Sequence, residues 1–214
     1  MGRRFVCALW LGLGLLRPST AGAEIIDRIL AVVDREIITL SDVNSAILFG
    51  LVEIPRDTTD KTQAALDRLI ERRLTLTEVE RYAPPEPAAT LVDAAVAARR
   101  ARFADSAQFE AALAASGLPA DQLRRHLRDD LRIETYLQQR FGAALQPTEG
   151  ELVLYYREHP AEFTRGSELR PFDEVRNEVR ARMVTERRAL LIRKWLAALR
   201  RRSDVNVLYL LGSQ

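Results

Sequence analysis

Cysteine is nearly absent. The single one, Cys7, sits in an N-terminal stretch that reads as removable. Without it the chain has no disulfide, no thiol nucleophile and no thiolate metal ligand. Histidine is almost as scarce. His126 and His159 are separated and make a poor metal site. Lysine is limited to Lys61 and Lys194, so nearly all of the 32 basic residues are arginine, which suggests a GC-rich bacterial genome. There is no Gly-rich phosphate loop, no Gly-x-Ser-x-Gly elbow and no His-Glu-x-x-His. No cofactor, no metal and no enzymatic chemistry are expected. No apolar run reaches the roughly 20 residues that a membrane-spanning helix needs.

What is present begins with a secretory pattern. Arg3 and Arg4 form a basic start, residues 5–16 are apolar, Arg17 and Pro18 break the run, and Ala21-Gly22-Ala23 offers a signal-peptidase site. Residues 1–23 are therefore expected to be a cleavable signal peptide, cut after Ala23, with residues 24–214 released into the periplasm. Arg4-Phe5-Val6 ahead of Cys7 is no lipoprotein box. Cleavage removes three of the 32 basic residues against 30 acidic ones, turning the formal charge from +2 to about −1. Nucleic-acid binding then loses its electrostatic basis, and stable membrane insertion is not expected.

Hydrophobic residues make up 47% of the chain, enough for a core. Residues 24–40 read as a β-hairpin, with Ser41 capping a helix to Leu48. Residues 57–82 carry Ala65, Leu69, Leu76 and Val79 at helical spacing. Pro84, Pro85 and Pro87 enforce an extended link. Residues 88–103 form an Ala-rich helix. Asp105 or Ser106 caps the next one, which buries Phe109 and Leu113 and stops at Gly117. Pro119 opens a helix with Leu123, Leu127, Leu131, Leu137 and Phe141 on one face. Thr148 and Glu151 form a capping box for the helix that ends at His159-Pro160. Residues 172–202 are the longest helix, with a stripe of Phe172, Val175, Val179, Met183, Leu191, Trp195 and Leu199. Residues 205–211 are a strand with Val205, Val207, Tyr209 and Leu211 on one face. A lone terminal strand needs a partner. The fold is thus expected to be mostly α-helical, with a small antiparallel sheet joining the N-terminal hairpin to the C-terminal strand.

Several segments resemble SurA-type periplasmic chaperones. They are Ile26-Asp27-Arg28-Ile29-Leu30-Ala31-Val32-Val33 with Glu36-Ile37-Ile38-Thr39-Leu40-Ser41-Asp42-Val43; Phe109 to Leu118 with Leu123-Arg124; Thr148-Glu149-Gly150-Glu151-Leu152 with Tyr155-Tyr156 and Pro160-Ala161-Glu162-Phe163; and Pro171-Phe172-Asp173-Glu174-Val175-Arg176. The resemblance spans the chain after the signal, as one unit of residues 24–163 completed by 171–214. Most relatives carry a parvulin-type prolyl isomerase between the last two segments. Here only residues 165–170 lie there, too few for a domain of roughly a hundred residues. The resemblance implies a chaperone without isomerase activity that binds unfolded outer-membrane proteins or other exported polypeptides. The alternative is a non-catalytic module dedicated to a single periplasmic or secreted partner, and a residual isomerase is a distant third reading.

His126 and His159 read as surface or boundary residues, and Asp129-Asp130 and Glu149 with Glu151 as solvated faces or caps. The clusters Arg99-Arg100-Arg102, Arg124-Arg125-Arg128 and Arg200-Arg201-Arg202 read as solvated faces, with attraction to anionic lipid or acidic client segments as the functional alternative. Tyr155, Tyr156, Phe163 and Phe172 are the candidate client-binding residues, because adjacent tyrosines diverge on a helix and one can face a groove. Gly166 and Ser167 suggest a mobile connector beside it. The oligomeric state is left open.

Overall fold

The computed structural model describes residues 27–209. The expected signal segment and Leu211 lie outside the described residues. Strands β1 (Ile29–Val33) and β2 (Glu36–Thr39) form the hairpin, and β5 (Val205–Val207) pairs with the other edge of β1. Both pairings are antiparallel, with Val33 opposite Glu36 on one side and Val205 on the other. The sheet thus joins the two ends of the described chain, as the sequence implies. The terminal strand is shorter than expected, although Tyr209 still donates its N–H to the Leu30 carbonyl at 3.1 Å.

The hairpin turn is Asp34-Arg35, with φ of 48° and 77°. Two consecutive left-handed residues match the twist of a two-residue hairpin but are strained for side chains other than Asn, Asp or Gly. Asp34 has a second role. Its N–H donates to the Asp204 carbonyl and its Oδ1 accepts from the Asp204 N–H, both at 2.9 Å. The turn therefore clamps the incoming C-terminal strand.

Helix α1 (Leu40–Leu48) is capped by Thr39 rather than Ser41. Thr39 Oγ1 accepts from the Asp42 N–H while the Asp42 carboxylate accepts from the Thr39 N–H, a reciprocal box that Ser41 cannot make. Helix α2 (Lys61–Tyr82) starts later than expected, because the Asp60 carboxylate accepts from the Gln63 N–H at 2.8 Å. The chain continues through α3 (Ala89–Arg100), α4 (Ser106–Ser116), α5 (Ala120–Phe141) and α6 (Glu149–Glu158). After a 3-10 turn at Pro160–Phe163 it enters a tiny hairpin, β3 (Thr164–Arg165) and β4 (Glu168–Leu169), and then the long α7 (Phe172–Arg202).

Helix α2 packs against α1, α5, α7 and the sheet. Its buried residues extend past the expected stripe to Leu66, Ile70 and Leu74. These meet Leu30, Val33, Ile38, Val43, Tyr136, Trp195 and Leu199 in the main core. A second cluster joins Phe49 to Phe109, Leu113, Leu123 and Leu127. A third, Leu152, Tyr155, Phe163, Val175 and Val179, lies between α6 and the first half of α7. Helix α7, about 46 Å long at 1.5 Å per residue, thus serves the main core at one end and the third cluster at the other.

The turn gives a direct test. Arg35→Gly is expected to stabilise the protein by about 0.5–1 kcal/mol by relieving the left-handed backbone. Asp34→Ala is expected to destabilise it by about 1–2 kcal/mol through loss of the strand clamp. Urea denaturation of both variants checks the opposite signs.

Candidate functional site

The four aromatic candidates do converge. Tyr155 and Tyr156 lie on α6, Phe163 in the 3-10 turn and Phe172 at the start of α7. Ring centroids are 5.6 Å apart for Tyr156 and Phe163, 5.5 Å for Tyr156 and Phe172, and 6.3 Å for Tyr155 and Phe163. They form the interior of the α6–α7 lobe. Phe163 is 1% and Tyr155 7% exposed, while Tyr156 and Phe172 are half-buried. The Tyr156 hydroxyl donates to the Arg170 carbonyl at 2.7 Å. Tyr155 donates to Glu186 at 2.7 Å, and burial together with that carboxylate pushes its hydroxyl pKa well up.

The connector between α6 and α7 is an ordered hairpin rather than a mobile link. Thr164 pairs with Leu169 and Arg165 with Glu168, Gly166 takes φ 64° in the turn, and the Arg170 N–H donates to the Phe163 carbonyl at 3.1 Å. Arg170 also reaches Glu178 on α7 at 3.0 Å. The six residues thus close the lobe over its aromatic interior.

Open apolar surface lies on the outer side of this lobe. A shallow groove of about 490 Å³ is lined by Tyr155, Met183, Ala189, Leu190 and the stems of Arg187 and Arg193. Leu190 is 44% and the neighbouring-helix Leu154 55% exposed. Met183 and Leu190 were missed as site residues. The detectable signal is that α7 outruns either core it serves, so the outer face of its middle turns is only partly covered. Met and the alkyl stems of Arg present adaptable apolar surface, and charged rims keep it hydrated: Arg187 is paired with Glu151 at 2.6 Å and Arg188 with Glu134 at 2.6 Å.

The histidines behave differently from each other. His159 caps α6 at its C-terminus, stacks on Tyr155 at 4.1 Å and places Nδ1 2.9 Å from the Tyr155 carbonyl oxygen, a boundary role as read. His126 is no surface residue. Burial, followed by the charges of Arg72, Arg99 and Arg73, lowers its pKa to about 3. Its neighbour Asp130 is half-buried rather than solvated, bonded by Arg72 Nε at 2.8 Å, while Arg72 Nη2 also donates to the His126 carbonyl at 2.9 Å. Burial nevertheless holds the Asp130 carboxyl above the usual range. Asp129 is also inside, between Arg128 and Arg132. These groups pin α5 to α2. Nothing in this arrangement pairs a nucleophile with a base.

Among the described residues no group of His, Cys, Asp and Glu could hold a metal ion, and no helix is long and apolar enough to cross a membrane.

A scan of protein-family models and a search of curated proteins find no match. Among solved structures, the chain is similar to one from work on the virulence factor PEB4 and the periplasmic protein Cj1289, two structurally related SurA-like chaperones of Campylobacter jejuni. Identity is 15% and the TM-score 0.50, over 86% of this chain and 100% of that one. The chain shares the SurA-like fold.

Two outcomes check the lobe and the buried histidine. Phe163→Ala is expected to destabilise the α6–α7 lobe by about 3–5 kcal/mol, with loss of amide protection in α6 while Trp195 fluorescence still reports an intact main core. His126 is neutral in the fold but protonates in the unfolded chain below pH 6.5, so acid favours unfolding. From pH 6.5 to 5 the wild type is expected to lose about 2 kcal/mol more than His126→Gln, measured by denaturant melts at both pH values.

Proposed function

We propose that this protein is a periplasmic holding chaperone without isomerase activity, which binds unfolded outer-membrane proteins or other exported polypeptides. The observation that carries the reading is the combination of a SurA-like fold with an unpartnered apolar groove along α6 and α7. The groove supplies Leu190 and the partly exposed Met183 as adaptable contacts for apolar client segments, over a floor formed by the buried Tyr155. Binding here is hydrophobic and non-directional, so affinity for any one segment is modest and many segments are accepted. This reading requires no chemistry of the chain, and it is supported by the short β3–β4 hairpin standing where the resemblance would put an isomerase domain. Tyr156, Phe163 and Phe172 support the groove from beneath rather than meeting the client directly.

The test is light scattering of a urea-unfolded outer-membrane barrel diluted with and without residues 24–214. Suppression of aggregation at near-stoichiometric ratios is expected, and Leu190→Glu, on an exposed position, is expected to weaken it without changing the melting temperature. Unchanged aggregation would overturn the general holding role and leave a module serving a single partner. A prolyl-isomerisation assay is expected to show the uncatalysed rate.

A further inference from the structure

Most arginines of the described chain are ion-paired. Arg124 bonds Asp93, Arg125 bonds Asp121, Arg128 bonds Asp129, Arg200 approaches Asp67 and Arg202 bonds Glu78. These are the solvated, self-neutralised faces expected of arginine clusters. Several arginines that are not paired gather in one place. An open cavity of about 1040 Å³ between the α1–α2 loop, the start of α2 and the end of α3 gathers Arg56, Lys61, Arg68, Arg99 and Arg102 around a single acid, Glu53. Only Arg68 has an ion-pair partner, Glu71. Arg56, Lys61, Arg99 and Arg102 form no salt bridge among the described residues. Arg99 buries its Nε without a hydrogen-bond partner, a costly state for a charged group. The Arg102 guanidinium packs against Gly50, where the absence of a side chain lets it approach.

The opposite wall is apolar: Ile47, Val52, Ile54 and Pro55. Ile47 belongs to α1 and the rest to irregular chain; Val52 and Ile54 rest partly on the main core, and among the described residues no backbone–backbone hydrogen bond engages Val52, Glu53 or Ile54. A loop with free backbone donors and acceptors beside alternating apolar side chains accepts an extended strand. A lipid headgroup would use the cations but not these backbone groups.

We propose that this cavity binds an extended, carboxylate-bearing polypeptide segment, its acidic side chains paired with Arg56, Lys61, Arg99 and Arg102 and its apolar ones against Val52 and Ile54. The inference deepens the holding role and rests on it: acidic client segments have a seat separate from the α6–α7 groove. Arginine suits this task because its planar fork pairs bidentately with carboxylates.

The test is fluorescence anisotropy of a labelled peptide alternating Asp and Leu, compared with the same peptide carrying Asn for Asp. The acidic peptide is expected to bind about tenfold or more tighter and to weaken with added salt. The double variant Arg56→Glu/Lys61→Glu, both exposed, is expected to lose that preference. Arg157→Glu/Arg201→Glu, exposed cations elsewhere, is expected to keep it, with circular dichroism matching for both. Equal binding of the two peptides, equal loss in both double variants, or binding only to phosphatidylglycerol vesicles overturns the proposal. Barrel aggregation is scored in parallel. Suppression without any acidic preference removes this site and spares the holding role, whereas acidic preference without suppression does the reverse.

Discussion

Strand β1 is the constraint from which the rest follows. It is the central strand of a three-stranded sheet, yet its second neighbour, β5, lies at the far end of the described chain. A two-stranded hairpin alone is marginal in water, so β1 is completed only when α7 returns the chain and the Asp34 turn clamps Asp204. All helices between are therefore enclosed by one long-range closure. Helix α2 fills the space beneath the sheet and meets nearly every other layer, which explains why it is buried on more sides than an amphipathic stripe requires.

The same closure accounts for the surface that remains. Helix α7 must begin in the α6 lobe and finish under the sheet, so its middle crosses between two cores and leaves Leu190 exposed and Met183 only partly covered. The β3–β4 hairpin seals the lobe where a larger insertion could otherwise leave and return, since Thr164 and Leu169 are paired neighbours. Electrostatics divide in a parallel way. Arginines that cross helix interfaces, such as Arg72 to Asp130, fasten the frame, whereas Arg56, Arg99 and Arg102 around the α1–α2 loop form no salt bridge among the described residues.

Local physics was legible in the sequence, and tertiary context was not. The Thr148–Glu151 box and the left-handed Gly117 stop depend on three or four neighbouring residues and stand where the sequence puts them, and of the two caps it allowed, Asp105 is the one used. The closing sheet was legible because a lone terminal strand needs a partner. Thr39 displaced Ser41 as the cap because Asp42 could reciprocate. The aromatic candidates lie together in space, but spacing on one helix cannot tell which ring the next segment will cover, and Phe163 with Tyr155 went inside. His126 and Asp130 looked like surface groups because Arg72, which holds that site together, comes from 54 residues or more earlier in the chain. That Arg99 and Arg102 form no salt bridge was equally invisible, since an arginine's partner is a matter of folding rather than spacing.

Hydrogen–deuterium exchange of residues 24–214, with and without a saturating unfolded outer-membrane barrel, tests the central claim most directly. The account expects slowed exchange along the α7 segment 183–193 and in the loop 51–56, with β1 and β5 already protected and unchanged. Protection confined to other surfaces, or none at any client concentration, would contradict it.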